Sequence, residues 1–199
     1  MKLKMMNYSK RLTLFIASAL LIGSSLAQRI AMYDIIGTTE EVIVPFKEKL
    51  GFILVKTDGN LTILSGKLNN EPVTMNLFQT PMSHLVHKVI VESNQWNKEK
   101  LSKKEWDSCK RAFDNKLAQL ENRYGKAEKI DQTRGEVFER KKCKTPFNYK
   151  ASWVNMPYFQ NLSLYCELQR NGSIHVTYVV KNNTLKNEQE LKLVPAGSF

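Results

Sequence analysis

The sequence predicts an α+β fold, an antiparallel sheet with helices packed on one face, and three observations carry that reading. Short runs rich in branched and aromatic residues, separated by turn signals, occupy 52–93 and return over 136–181. Between them, Trp106, Cys109, Phe113, Leu117, Leu120 and Tyr124 recur at gaps of three and four, the spacing of one helix face. The order, helix then strands followed by helix then strands, suits strands merged into one sheet with the helices packed on a single face.

The chain opens on a charged stretch (Lys2, Lys4, Lys10, Arg11), an apolar run from Leu12 to Ile22, and small residues ending Ser25-Leu26-Ala27. These are the three parts of a cleavable secretory signal covering 1–27. The apolar run falls short of the ~20 residues that a membrane-crossing helix needs, and no second run of that kind follows. The expectation is therefore a mature chain starting at Gln28, in the periplasm or outside the cell, with no transmembrane anchor after cleavage. Cleavage removes four positive charges and lowers the formal net charge from +11 to +7. A basic balance favours anionic partners through long-range electrostatics. An acidic protein, a glycan or an anionic surface are the candidates, and export takes nucleic acid off the list; the bland alternative is a well-solvated surface.

Thr38-Thr39-Glu40-Glu41 has the form of a capping box, opening a short helix that Gly51 stops. Pro45 lies inside it, so a kink, or a start at Pro45, is expected. Strands are expected at 52–57, 61–67, 73–78 and 85–93, the first two joined by the turn Asp58-Gly59-Asn60. Ser102-Lys103-Lys104-Glu105 is a second capping box, and the long apolar-striped helix behind it closes at Gly125. Further strands are expected at 136–141, 149–154, 162–169 and 173–181. Across Asn171-Gly172 the alternation of Leu162, Leu164, Cys166 and Leu168 continues with Ile174, Val176, Tyr178 and Val180, which marks a hairpin buried on one face. From 185 to 199 the chain is polar and without period, which predicts a flexible tail.

The region 28–184 thus reads as one α+β domain, or as two tandem halves, 28–97 and 98–184. Phe46 to Phe52 and Leu120 to Lys126 occupy equivalent places about 74 residues apart. Three cysteines, Cys109, Cys143 and Cys166, allow at most one bridge and leave a thiol over. Cys109 sits on the helix stripe and Cys166 on a strand's apolar face, where buried, inert thiols are the common outcome; a bridge through Cys143 is the other reading.

Ile36-Gly37-Thr38, Leu50-Gly51-Phe52, Leu64-Ser65-Gly66-Lys67 and Arg123-Tyr124-Gly125-Lys126-Ala127, taken in this order, resemble a family of uncharacterised exported proteins from gut Bacteroidota. The resemblance implies a small periplasmic or secreted α+β protein and brings no catalytic residues with it. By layout alone the chain is also similar to tandem α/β-repeat inhibitors such as β-lactamase inhibitory protein.

Sites of chemistry are sparse. His84-x-x-His87 falls in an expected strand, where positions three apart point to opposite sides, so chelation is not expected. Cys143 lies among Arg140, Lys141, Lys142 and Lys144, whose charge would lower the pKa of an exposed thiol; paired with a histidine it is the least implausible nucleophile. There is no Gly-rich phosphate loop, no G-x-S-x-G elbow and no H-E-x-x-H helix, and no cofactor is expected. Lys100, Lys103 and Lys104, with Arg140, Lys141, Lys142 and Lys144, form a candidate anion or glycan patch if the fold gathers them. The leading expectation is a non-enzymatic binding module, against an enzyme built on Cys143 or an inhibitor of a secreted enzyme.

Overall fold

A computed structural model describes residues 35–93, 103–133, 138–139, 142–143, 148–167 and 173–195; at 103–106, 132–133, 138–139, 142–143, 148, 167 and 173 it describes the backbone alone. The chain runs α1 (Thr39–Leu50), β1 (Ile53–Asp58), β2 (Leu61–Leu68), β3 (Glu71–Gln79), β4 (Val86–Ser93), α2 (Lys103–Tyr124) and β5 (Lys129–Thr133). It continues through β6 (Phe138–Glu139), β7 (Lys142–Cys143), β8 (Asn148–Val154), β9 (Phe159–Glu167), β10 (Ser173–Val180) and α3 (Lys181–Leu191).

The capping box forms as the sequence predicts: the Thr38 hydroxyl accepts from the Glu41 amide, and the Glu41 carboxylate accepts from the Thr38 amide at 2.7 Å. At the other end Gly51 takes a left-handed φ of 66°, which lets the Gly51 and Phe52 amides reach back to Lys47 and Phe46. The helix runs unbroken through Pro45. Pro45 removes the amide that would bond the Glu41 carbonyl, but Glu41 is exposed and water reaches it, while Val42 and Phe46 on either side are fully buried. Asn69 and Asn70, both at positive φ, make the two-residue turn between β2 and β3.

Eight strands form one antiparallel sheet in the order β1-β2-β3-β4-β10-β9-β8-β5, and β6 and β7 make a separate ribbon. Each half is thus a helix followed by a four-stranded meander, and the last strands of the two meanders, β4 and β10, pair at the centre. Register settles which faces agree. Leu64, Met75, Val91, Val176, Leu164 and Ala151 lie directly opposite one another in sequence across six strands, so one face is apolar from end to end.

Both long helices bury their stripes on that face. Val42 and Phe46 of α1 pack on Leu64, Met75, Leu77 and Val89; Cys109, Phe113 and Leu120 of α2 pack on Tyr149, Ala151, Leu164 and Val176. Each such aliphatic or aromatic side chain contributes about 1.5–3 kcal/mol on full burial. Tyr178 touches both clusters, and burial pushes its hydroxyl pKa up to about 12 against a weaker opposing influence from Arg123. Trp153 donates its indole N–H to the Gly125 carbonyl at 2.8 Å, fastening the end of α2 to β8.

Four expectations need correction. Of the strand expected at 136–141 only 138–139 are described, and they pair with 142–143 in the small ribbon, while the edge place in the sheet belongs to Lys129–Thr133. An edge strand pairs on one side only, so pairing with β8 selects it without a strong alternation of its own. Within the polar stretch 185–199 expected as a flexible tail, residues 185–191 belong to helix α3, which is held by side-chain hydrogen bonds rather than by an apolar stripe. Cys109 and Cys166 are not separate thiols; they form a disulfide. Parity placed each inside its own element, and only the packing of α2 on β9 brings them together. The fourth is the alternative start at Pro45: the helix begins at Thr39.

Candidate binding face

Most of the basic patch read from the sequence falls outside the described residues: Lys100, Arg140, Lys141 and Lys144 entirely, and Lys103, Lys104, Lys142 and Cys143 beyond their backbone. The described residues that flank these segments do share a location. Ser93, Thr133, Asn148, Glu167 and Ser173 stand at one end of the sheet, since Ser93 pairs beside Ile174, Ser173 opposite Glu167, Glu167 opposite Asn148 and Asn148 opposite Thr133.

The face opposite the two long helices carries a different chemistry. Parity puts Ser65, Thr74, Glu92, His175, Tyr165, Lys150 and Asp131 in one row, and Ile63, Asn76, Ile90, Thr177, Ser163, Ser152 and Lys129 in the next. In the first row the Tyr165 and His175 rings lie 5.2 Å apart, and the Lys150 ammonium sits 5.2 Å from the Tyr165 ring centre. A second cation–ring pair, Lys88 over Phe78 at 5.1 Å, lies further along β4. In the second row Thr177 is half-buried, while Ser163 and Ser152 are buried between their larger neighbours, the Ser163 hydroxyl donating to Asn161 at 2.8 Å. Lys56 pairs with Asp58 on one edge strand and Lys129 with Asp131 on the other; Lys88, on central β4, stands over a ring, and so does Lys150 on β8, the strand next to the β5 edge.

The alternation of the last hairpin already placed Tyr165 and His175 on the polar face. Lys150, Glu92 and Lys88 join them only through the register of β8 and β4, which depends on partners distant in sequence. His84 and His87 do not act together: His84 occupies a turn with φ 53°, and His87 lies in β4 with its pKa lowered by burial and then by neighbouring Lys88. Among the described residues no three His, Cys, Asp or Glu side chains gather as metal ligands, and no helix is long and apolar enough to cross a membrane.

These features define an open-sheet α+β protein of two helix-and-meander halves with a cation- and ring-bearing outer face. Set against protein-family models, curated proteins and solved structures, the chain matches none.

Proposed function

We propose that this chain is an exported, non-enzymatic binding module that receives an acidic protein surface on its outer sheet face. One observation carries the reading: both long helices share one face of an eight-stranded sheet, and the other carries the cation–ring groups Lys150–Tyr165–His175 and Lys88–Phe78. Rings that hold cations in place lower the entropy lost on contact, and the net positive charge steers an anionic partner toward the module. Export is supported by the leader-like first 27 residues and by a buried Cys109–Cys166 disulfide, a bond that persists in oxidising compartments. Residues 28–199 titrated with poly-glutamate, and separately with a neutral glycan panel, test the proposal. Salt-sensitive binding to poly-glutamate, weakened about tenfold or more by K88A/K150A, is the expected result. Binding that survives the double substitution, binding to neutral glycan alone, or no binding would overturn it.

A further inference from the structure

Helix α3 is amphipathic in the reverse sense. Its docked side is polar: Asn183 donates to the Val86 carbonyl at 2.9 Å, the Thr184 hydroxyl donates to the Val180 carbonyl at 2.8 Å with the His87 carbonyl 3.4 Å away, and Glu190 is only 4% exposed. Asn183, Asn187 and Glu190, spaced by four and three, lie on one helix face. Meanwhile Leu185 and Leu191 of the helix are 60% and 43% exposed. The Glu190 carboxylate accepts from the Met82 amide at 2.8 Å, the Ser83 amide at 3.1 Å and the Ser83 hydroxyl at 2.6 Å.

The helix itself has little to hold it. Its first residue follows Val180, which offers no side-chain cap, and neither terminal turn carries a charge that offsets the helix dipole. Three asparagines and a threonine among its 11 residues lower its intrinsic propensity, and an isolated helix of this length does not persist in water. Polar contacts exchange for water at small net cost, unlike the apolar burial that fixes α1 and α2. The contacts also span the joint of the molecule: α3 belongs to the second half, while Met82, Ser83 and Val86 belong to the first.

We infer that α3 is a releasable strap across the joint between the two halves, latched by the Glu190 carboxylate on the Met82–Ser83 turn. Release leaves the halves joined by the β4–β10 ladder and by Tyr178, and it frees the Met82 and Ser83 amides and the Val86 carbonyl. The sheet opens only with global unfolding, whereas the strap opens from the low end of the stability range.

Hydrogen exchange on residues 28–199, followed by mass spectrometry, tests this with the E190A and S83A variants. Peptides covering 181–195 are expected to exchange at least about tenfold faster than those of β10, and E190A is expected to add about another tenfold without changing β9 or β10. S83A gives a smaller change in the same direction. Strap amides that exchange at the β10 rate, an E190A chain whose strap is unchanged, or one that loses β10 protection or fails to fold, would each overturn the inference.

Discussion

The two halves share a plan and differ in how their helices are fastened. In the first, a 12-residue helix is closed at both ends by local chemistry, the Thr38–Glu41 box and Gly51, and Phe46 meets Phe52 edge to face at 5.4 Å. In the second, a 22-residue helix is tied from a distance, by the Cys109–Cys166 disulfide, the Trp153–Gly125 hydrogen bond and the Phe113–Tyr149 ring contact. All three cysteines of the chain lie in that second half. A short helix beside its own strands reaches its partners through nearby sequence, while the second half, interrupted by the excursion between β5 and β8, relies on links across 57 residues.

On that contrast, the largest effect comes from the disulfide. C109A/C166A is expected to lose about 4 kcal/mol in urea denaturation, with hydrogen exchange accelerating in α2 and β8–β10 before β1–β3. Equal loss of protection in both halves would erase the distinction. Gly66→Ala probes the first half. A β-carbon there would stand 2.5 Å from the buried Phe52 ring, so the substitution is expected to cost about 1–3 kcal/mol and to leave the second half protected. Thr38→Ala removes the cap and is expected to cost about 1 kcal/mol, read as a shifted urea midpoint with an unchanged m-value.

The gentlest probe is acid, and it addresses the tie between the halves. Burial raises the pKa of Glu190, but donation from the Ser83 hydroxyl and the Met82 and Ser83 amides outweighs it, and the net shift is downward. A lowered pKa means that the strap's stabilisation is present above the ordinary glutamate value, about 4.3, and fades as pH falls through the lower folded value. Met82 and Ser83 amide resonances should therefore move together below about pH 4 while those of β9 stay fixed. Movement at neutral pH instead would point to another titrating group and break the assignment of the latch to Glu190.

Much of the fold was legible because its signals are local. The Thr38 capping box, the striped helix ending at Tyr124 and the alternation through Cys166 and Ile174 each state within a few residues what they form and which side is buried. Gly66 was visible only as part of a short motif; its reason, the Phe52 ring lying against its α-carbon, needs both partners in place. The edge strand at Lys129–Thr133 and helix α3 escaped notice because neither is selected by apolar periodicity. Of the candidate face, Tyr165 and His175 were placed on the polar side from alternation, but nothing nearby in the chain announced Lys150, Glu92 or Lys88 as their neighbours.

From residue order alone came the number of layers, the turn after Asp58 and the inward side of each strong element, since hydrophobic spacing is written into consecutive residues. Which cysteine meets which, which strands sit at the sheet's centre and which charges lie beside Tyr165 were decided only on folding. Those relations follow from strand register and helix placement between segments far apart along the chain, where no local pattern sets the distance.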